Sequence, residues 1–596
     1  MVLISTGADQ LSAQQSDINT LLQYFDAEES IPDEDLTLIS EILDLRWPVG
    51  VELAEKIIEL SIIDYEDEKL LRTVHDAQTF LDLASKEKAS LFLRELIRSV
   101  DNRQLTVVDI GSLTMNQYLV FSEDNRYRWK INYNHDAYRF GIIAERDPNE
   151  SEIIDHFSYS LSKQSNKNEL IVGDYQIVSG YGLWSWRSVA TRKGFESVTA
   201  LSRMGSGASP YRSANEYWYI RGINYSLRTK HGGISLAGGY TKQDGSFDDN
   251  GKINISTSGL HTGETSIDQK NNITESLVIG QWYSSIKNSM IVASVAGTNW
   301  TADNNTNTDW SGSIAINHAI NDNNIFGEFG RGYNNTGGMI AGLRLRYPAI
   351  IYLLSARYYS KGYTALRANP FAEWVGEDRN ERGVYQGLKY KFGRHNLLVY
   401  GDIFKTNELE NKQLFPIIGQ ETGIRWEWRK GRSYQRLQWK QEKKTIEDGG
   451  AYLADEQFGD ENINTYKYSG VFQLNDNFWS KLQLTYSNEI SSNSKSEAFG
   501  FDTNLWWELK NLSILFDILT VFSNDGAVWI YFWDVNLPGE MTTRVYTKDT
   551  LSSAIKIIYR TNEGFEIGAR FRAQWHGFKF SGTPDLNGAL ILELLL

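Results

Sequence analysis

The sequence predicts a mainly β fold: a large antiparallel transmembrane β-barrel of roughly 16 to 24 strands, preceded by a small all-α N-terminal domain. Two features of the sequence point to the barrel. Apolar and polar residues alternate with period two over most of the chain after residue 103, and polar turn clusters separate these runs. The chain is also rich in aromatic residues, with 18 Trp, 32 Tyr and 26 Phe, although its mean hydropathy is −0.42. That combination is typical of strands with one apolar face and one face in contact with water.

Composition excludes several classes of protein. The chain has 596 residues and no cysteine, which excludes a disulfide framework, thiolate zinc sites and a cysteine nucleophile. A formal net charge of −15 argues against general nucleic-acid binding, which depends on basic surface. The sequence contains no apolar run of about 18 residues, so we expect no transmembrane helix.

Residues 1–16 are predicted to be the remainder of a signal sequence or a disordered N-terminus. The letters LSAQQ resemble the end of a signal peptide near Ala13, but the basic and apolar regions of a complete signal are missing. An ordinary disordered start is the alternative.

Residues 17–102 are predicted to form a helical, helix-hairpin-helix-like domain located in the periplasm. Apolar residues follow helical spacing in LTLISEILDL (36–45), VELAEKIIELSII (51–63) and the segment 76–100. Pro48 and Gly50 separate the first two of these segments.

Residues 103–596 are predicted to form the barrel. In GIRWEWRK (423–430), Ile424, Trp426 and Trp428 share one face, and Arg425, Glu427 and Arg429 share the other. A soluble sandwich would also alternate, but its dry core would not accept such a charged row. A propeller would show a repeat of blade length, and none is visible. We therefore expect the charged row to line a lumen.

The stretch GDYQIVSGYGLWSWRS (173–188) raises the question of a phosphate cradle. It lacks the Gly-Lys-Ser/Thr ending of a phosphate loop and the third glycine of a dinucleotide fingerprint. In barrel strands, glycines more often mark bulges or places where a plug approaches the wall. We predict a strand break here, with Trp184 and Trp186 at a membrane interface.

No catalytic, cofactor-binding or metal-binding residue is predicted. No two of the eight histidines have i,i+3 or i,i+4 spacing, so no local metal site is visible. The acidic stretches DGSFDDNG (244–251) and TADNNTNTD (301–309) offer oxygen ligands suited to calcium. Solvated loop tips are the preferred interpretation of both stretches.

Several blocks of the chain, in order, resemble a family of large Bacteroidota proteins with an N-terminal helix-hairpin-helix-like region and a long β-rich region. The blocks include GDYQIVSGYGLW (173–184), SGASPYRSANEYWYIRGI (206–223), SGLHTGETS (258–266), FGEFG (326–330), ARYYSKGYTALRANPFAEW (356–374), NERGVYQGLKYKF (380–392), VYGDIF (399–404) and VWIYFWDVNLPGE (528–540). The motif residues with an expected structural role are Gly173, Asp174, Tyr175, Gly180, Gly182, Arg212, Asn215, Glu216, Arg221 and Gly222. The resemblance implies an outer-membrane location and leaves the activity open.

The N-terminal region departs from the family pattern. A DNA-binding hairpin needs a Gly-hydrophobic-Gly turn, and this chain offers only Pro48, Val49 and Gly50 in an acidic setting. These three residues are the candidate DNA-contact turn.

The expected function is that of a channel, a translocation component or an envelope scaffold in the bacterial outer membrane, with the helical domain at the periplasmic mouth. The expected partners are the lipid bilayer and a periplasmic protein. Two alternatives stay open: DNA binding or uptake of the competence type, and an outer-membrane hydrolase. An enzymatic role is not predicted.

Overall fold

A computed structural model describes the chain from residue 112 onward with short gaps, together with scattered residues between 53 and 97. The described N-terminal residues are 53–54, 57–58, 63, 67, 70–74, 77–83, 89, 93 and 96–97. The gaps after residue 112 are 122–125, 136, 148–149, 151, 166, 187–192, 206, 214, 230–231, 249–250, 252, 258, 287, 303–304, 374–378, 409–415, 431–432, 448–457, 476, 492–494, 510, 525–527, 538–542, 562–564, 578–583 and 596.

The wall strands are β1 (Ser112–Phe121), β2 (Arg126–His135), β3 (Tyr138–Arg146), β4 (His156–Gln164), β5 (Asn168–Val178), β7 (Ile220–Thr229), β8 (Gly232–Gln243), β11 (Ile273–Ile286), β12 (Ser289–Ala302), β13 (Asn305–Ile320), β14 (Asn323–Arg331), β15 (Gly337–Tyr347), β16 (Ile350–Tyr363), β17 (Arg379–Phe392), β18 (His395–Thr406), β19 (Ile418–Lys430), β20 (Ser433–Glu447), β21 (Phe458–Asn475), β22 (Phe478–Ile490), β23 (Lys495–Glu508), β24 (Leu512–Ser523), β27 (Thr550–Arg560), β28 (Phe565–His576) and β29 (Asp585–Leu595). The shorter elements are β6 (Gly207–Pro210), β9 (Gly245–Phe247), β10 (Ile253–Ile255), β25 (Ile530–Trp533), β26 (Thr543–Tyr546), the helices α1 (Ala77–Asp82), α2 (Ser197–Ala200) and α3 (Glu264–Gln269), and a 3-10 turn at Tyr333–Asn335. Among the described residues, no helix is long and apolar enough to cross a membrane.

The wall strands form a closed barrel. Each pairs antiparallel with the wall strands before and after it in the chain, and β1 pairs with β29 from Thr114–Leu595 to Phe121–Gly588. Closure leaves no edge strand with unpaired backbone groups. The 24 wall strands lie at the upper end of the range expected from the sequence.

The two faces of the wall have opposite chemistry. The outward face exposes apolar side chains, and Val278, Ile403 and Ile314 are 72%, 63% and 61% exposed. A continuous apolar exterior on a closed barrel is the lipid-facing band of a membrane-spanning protein. The prediction for GIRWEWRK is confirmed from Ile424 to Glu427: Ile424 and Trp426 face out at 42% and 38% exposure, whereas Arg425 and Glu427 are buried inside.

Aromatic residues lie near both ends of this band. The exposed aromatic side chains are Tyr138, Tyr347, Phe392, Trp507 and Tyr559 at one end, and Phe157, Tyr159, Tyr240, Trp310 and Tyr358 toward the other. Amphipathic rings favour the bilayer interfaces. These two groups of exposed aromatic residues therefore lie where the two interfaces of a bilayer would be.

The two ends of the barrel differ in the length of their connections. Two-residue turns such as 321–322 and 393–394 join strands at the end that holds the start of β1 and the end of β29, here called the turn end. Connections of nine residues or more, such as 147–155 and 179–219, occur only at the opposite end, here called the loop end. This asymmetry is that of outer-membrane barrels, whose short turns face the periplasm.

Among the described residues, three pieces of loop-end connections fold into the lumen. We call them the first inner segment (residues 179–186, 193–205 and 207–211), the second inner segment (364–373) and the third inner segment (528–537). Tyr181, Phe371 and Ile530 from these segments are at most 1% exposed and pack in hydrophobic clusters against inward-facing wall residues. Part of the lumen is therefore occupied by the chain itself.

The prediction for Trp184 and Trp186 is wrong. Trp184 is fully buried in the lumen, where its ring N–H donates to Ser311 Oγ at 3.2 Å, and Trp186 is 7% exposed. Odd and even positions point to opposite faces of the barrel only while the chain forms a strand of the wall. The chain leaves the wall after Val178, so the predicted strand break is confirmed and the predicted membrane interface is not.

Wall glycines lie where inner segments approach, as expected. A Cβ atom at Gly423 would lie 2.7 Å from the ring of Phe195, and one at Gly500 would lie 2.5 Å from the ring of Phe532. Only glycine leaves space for these rings.

The N-terminal expectations are tested only in part. Leu53, Ala54, Ile57 and Ile58 are helical and buried, in line with the helical spacing of 51–63. Residues 1–16 and the turn at 48–50 lie outside the described residues, so the small all-α domain stays a prediction.

A lysine on the lipid face is expected to destabilise the barrel. Ile314 faces outward near the middle of β13, and Ile314→Lys should lower the free energy of unfolding in lipid vesicles by about 2–4 kcal/mol. The matched control is Asp322→Lys in the adjacent exposed turn, which should have little effect. Equal effects of the two substitutions in urea titrations of the folded fraction would contradict a lipid-facing position for Ile314.

Candidate functional site

The Gly-x-Gly turn of the first inner segment holds a carboxylate of the barrel wall. The backbone N–H groups of Tyr181 and Leu183 donate to Glu328 Oε2, at 2.6 and 3.1 Å. Glu328 lies on β14 in the block FGEFG, points inward and is 2% exposed. Two converging N–H groups suit an anion, and the anion that they bind here is a carboxylate of the protein itself.

Both glycines of the turn are required by its shape. Gly180 and Gly182 have φ values of 59° and 93°, which favour glycine. A Cβ atom at Gly180 would lie 2.5 Å from the Glu328 carboxyl group, and one at Gly182 would lie 2.7 Å from the Asn369 carbonyl oxygen. The turn therefore fits against the wall and the second inner segment only without side chains.

Further hydrogen bonds fix the residues around this turn. Ser179 Oγ lies 2.8 Å from Ser294 Oγ on β12, and Tyr363 Oη donates to the Leu183 carbonyl at 2.8 Å. Asn369 N–H donates to the Gly182 carbonyl at 2.9 Å. The first inner segment is thus bonded to two wall strands and to the second inner segment.

The middle of the first inner segment is an excursion whose two ends meet. Gly205 N–H donates to the Gly180 carbonyl at 2.8 Å. Between them, α2 packs against β16 and β17, and a Cβ atom at Gly387 would lie 2.5 Å from Val198 Cγ2. The two described ends of the excursion, at Gly180 and Gly205, therefore lie side by side.

A buried ionic network joins the wall to the inner segments. Arg357 on β16 donates to Glu381 Oε1 at 2.5 Å and to the two Asp402 oxygens at 2.7 and 3.0 Å. Lys193 reaches Asp402 Oδ2 at 2.7 Å and also pairs with Glu373. Three adjacent strands and two inner segments therefore share one set of charges.

Two more ion pairs extend the same pattern. Arg367 of the second inner segment pairs with Glu275 on β11, with Nη2–Oε2 at 2.5 Å, and both side chains are at most 5% exposed. Glu196 of the first inner segment accepts from Arg425 at 2.5 Å. The charged row of GIRWEWRK thus holds an inner segment in this structure.

The third inner segment is held by arginines. Asp534 pairs with Arg572 of β28 and with Arg544 Nε at 3.1 Å, and Arg570 donates to the Val535 carbonyl at 3.0 Å. Ion pairs and hydrogen bonds therefore also hold the third inner segment against the wall near β28.

The block GDY marks the point where β5 leaves its neighbour β4. Their pairing ends at Ser160–Gly173, and the Asp174 carboxylate accepts the next N–H of β4, that of Tyr159, at 3.1 Å. Arg221 on β7 binds the same carboxylate through two hydrogen bonds, at 2.7 and 2.9 Å. Asp174 thus replaces a backbone partner at the strand break.

The neighbouring motif residues support this arrangement. Tyr175 is buried in the lumen, and its hydroxyl lies 3.4 Å from the Gly238 carbonyl. Cβ atoms at Gly173 and Gly222 would lie 2.4 Å from the Tyr159 carbonyl oxygen and 2.0 Å from the Gly238 carbonyl oxygen. The structural role expected for these residues is consistent with these contacts.

The second motif block returns the chain to the wall. Asn215 Oδ1 accepts the N–H groups of Tyr217 and Trp218, at 3.0 and 3.3 Å, which forms a turn before β7. Arg212 lies against the inner wall, with its Cγ 3.7 Å from the Cβ position of Gly141.

Glu216 joins an acidic group at the loop end. Burial and the nearby carboxylates of Asp155, Asp244 and Asp147 raise the pKa of Glu216 to about 9. Burial, opposed by Arg126, raises the pKa of Asp147 to about 6. Carboxyl groups are therefore crowded together where the connections 147–155 and 244–272 meet.

Sequence reasoning misses most residues that bind the inner segments to the wall. Glu328, Arg357, Glu381, Asp402 and Arg367 lie in the blocks that carry the family resemblance, but no local motif marks them. The available signal was a lone charge at an inward position beside glycine or aromatic residues, as in FGEFG.

No hydrolytic arrangement is evident among the described residues. Ser289 Oγ lies 2.7 Å from His318 Nδ1, but His318 has the outward parity of β13 and no described carboxylate is bonded to it. The absence of an enzymatic role stays a prediction.

No family model matches this chain, and no curated protein matches it. Solved structures similar to it include the siderophore receptor PirA from Pseudomonas aeruginosa, at 8% identity and a TM-score of 0.42, covering 82% of this chain and 81% of that one. The FrpB iron transporter from Neisseria meningitidis is 7% identical with a TM-score of 0.39, covering 83% and 82%.

The glycine turn can be tested by adding one methyl group. Gly180→Ala should lower the free energy of unfolding by about 1–3 kcal/mol because alanine is strained at this φ and meets the Glu328 carboxyl group. Gly297→Ala, in open space on β12, should change it little. Urea titration of both variants in vesicles measures the difference, and equal stabilities would contradict the described fit.

The ionic network can be tested at Arg357. Arg357→Met leaves Glu381 and Asp402 without their buried guanidinium and should lower the free energy of unfolding by about 3–5 kcal/mol. Lys495→Met removes one partner of the exposed Lys495–Glu497 pair and should have little effect. If the two variants unfold at the same urea concentration, the network does not stabilise the closed lumen.

Proposed function

We propose that this protein is a gated transport component of the bacterial outer membrane, observed with its lumen closed. The observation that carries the proposal is the polar attachment of the inner segments, above all the binding of Glu328 by the Gly180–Gly182 turn. Polar contacts of this kind can be exchanged for water when a segment moves. A barrel that served only as a scaffold would not need a releasable filling.

The width of the barrel supports transport. Barrels of 16–18 strands already leave an aqueous channel, and 22-stranded transporters need a plugged lumen. With 24 wall strands, side chains of the wall alone do not fill this interior. The inward-facing Arg425, Glu427 and Asp402 would line a water-filled path once the inner segments moved.

The difference in connection length between the two ends of the barrel supports a location in the outer membrane and indicates how the barrel is oriented there. The short turns and both ends of the wall lie at the turn end, which we assign to the periplasm, and the inner segments enter from the outside. Membrane-spanning barrels with an apolar exterior band are typical of the bacterial outer membrane.

The position of the N-terminal region fits a role at the periplasmic mouth. Lys391, two residues before the 393–394 turn, donates to the Ile63 carbonyl at 3.2 Å. Residues 17–102 contain 21 acidic and 8 basic residues, and the inward wall near the turn end carries Lys389, Lys391, Arg436 and Lys481. Opposite charges favour an acidic domain at this mouth, where it would also meet a periplasmic protein partner.

The other candidate functions have less support. DNA binding depends on Pro48, Val49 and Gly50, which lie outside the described residues, and the acidic charge of that region opposes it. Hydrolysis would need a nucleophile beside a base, and both ring nitrogens of the loop-end His261 face carboxylates among the described residues. Both stay predictions from the sequence.

Removal of the excursion tests the transport role. Because Gly180 and Gly205 are hydrogen-bonded, deletion of residues 181–204 should preserve the barrel and open the lumen. In planar lipid bilayers we expect the deletion variant to show stable ionic conductance and the intact protein to show little. A folded deletion variant that conducts no more than the intact protein would overturn the proposal.

A disulfide provides the matched closed control. The chain has no cysteine, and Ser179 Oγ and Ser294 Oγ are 2.8 Å apart, so Ser179→Cys with Ser294→Cys creates a single possible bridge. We expect any conductance of this variant under urea or voltage to vanish on oxidation and return on reduction. If the conductance is the same after oxidation and after reduction, the first inner segment is not the gate.

A further inference from the structure

The most unusual group of side chains outside the lumen is an acidic cluster around His261 at the loop end. Glu150 and Asp155 come from the connection 147–155, and Asp244 and His261 from the connection 244–272. The His261, Glu150 and Asp155 side chains are 3%, 2% and 1% exposed. These residues are separated in sequence by more than 100 positions at the widest, so spacing along the chain could not indicate the cluster.

The His261 ring is aimed at carboxylates through both nitrogens. Nε2 lies 2.8 Å from Asp244 Oδ2. Nδ1 is buried and has no hydrogen-bond partner among the described residues, yet it lies 3.2 Å from Glu150 Oε1 and 3.6 Å from Asp155 Oδ1. A ring nitrogen between two carboxylate oxygens without a hydrogen bond is an unused ligand atom.

A second buried histidine borders the same place. His156 is 5% exposed, and its Nε2 also has no hydrogen-bond partner among the described residues. It lines a polar cavity of about 190 Å³ together with Asp155, Glu216 and Asp244. Two unpartnered imidazole nitrogens thus adjoin one group of carboxylates.

The spacing around Nδ1 fits a bound metal ion. Ligands at about 2.1 Å from a tetrahedral ion are separated from one another by roughly 3.4 Å. The observed separations of 3.2 and 3.6 Å from Nδ1 bracket that value, and the three ligand atoms lie within 4.8 Å of one another.

Charge also favours a cation here. Lys270 contacts two carboxylates of the cluster, with Nζ 2.7 Å from Asp155 Oδ1 and 3.8 Å from Glu150 Oε2. It offsets one of the three carboxylates Glu150, Asp155 and Asp244. Arg221, which borders the same cavity, is bonded to Asp174. A divalent ion would offset two more negative charges.

We propose that Glu150, Asp155 and His261 form a binding site for a divalent transition-metal ion, with Zn²⁺ as the expected occupant. One imidazole and two carboxylates suit Zn²⁺ better than Ca²⁺, which takes oxygen ligands only. Asp155 Oδ1, which accepts from Lys270 at 2.7 Å, would bind the ion through its other lone pair. The ion would tie the connection 147–155 to the connection 244–272 at the loop end, and this does not depend on the transport role.

The test uses the full-length protein in detergent micelles after treatment with a chelator. Calorimetric titration with ZnCl₂ should show one site with a Kd in the micromolar range or below, and His261→Asn should weaken it by at least about 100-fold. The control is His576→Asn, which removes the exposed pair between His576 Nε2 and Asp585 Oδ2, 3.1 Å apart. The two side chains are 61% and 75% exposed, so this variant should bind Zn²⁺ like the unmodified protein.

Two results would overturn the proposal. One is the absence of saturable Zn²⁺ binding by the folded, unmodified protein, which would identify the cluster as a purely ionic contact of His261. The other is equal Zn²⁺ affinity of the unmodified protein and folded His261→Asn. Because His261→Asn removes a buried ring, Glu150→Gln serves as the second variant and should also weaken binding, with its folded state confirmed by its heat-modifiable gel mobility.

Discussion

The structure depends on one constraint: a closed wall of 24 strands encloses more space than its own side chains fill. The protein meets this constraint by folding loop-end connections inward and bonding them to charged groups of the wall. Glu328, Arg357 and Glu275 would each be costly if buried alone, and each is satisfied by an inner segment or by a neighbour in the same network. Wall and filling are therefore interdependent, since the wall's charges require the segments and the segments require the wall's glycines.

The sequence predicts the wall well because its signal is local. Alternation at Ile424, Arg425 and Trp426 follows from the pleat of a single strand, and closure makes the outward face apolar over the whole circumference. The strand break near Gly180 could also be predicted, because glycine clusters and a change of parity coincide there. These are properties of a few consecutive residues.

The filling could not be predicted because its contacts are not local. Trp184 was assigned to the membrane by parity, which has no meaning after the chain leaves the wall at Val178. The partner of the Gly-x-Gly turn, Glu328, lies 145 residues away from Leu183. Likewise, His261 meets Glu150 across 111 positions. Such pairs are set by the topology of the barrel, which a single sequence does not supply.

The pairing of β1 with β29 has a consequence for assembly. The seam joins residues near 115 to residues near 594, so it forms only after β29 has reached the sheet. All three inner segments precede β29 in the chain, and each is attached to strands that are already paired with their neighbours. An open, curved sheet would therefore admit these polar segments sideways before the seam forms, without their passing through a finished ring. High contact order makes such a final step slow, and the order of events matters because a barrel that closed empty would have to be entered from its mouth.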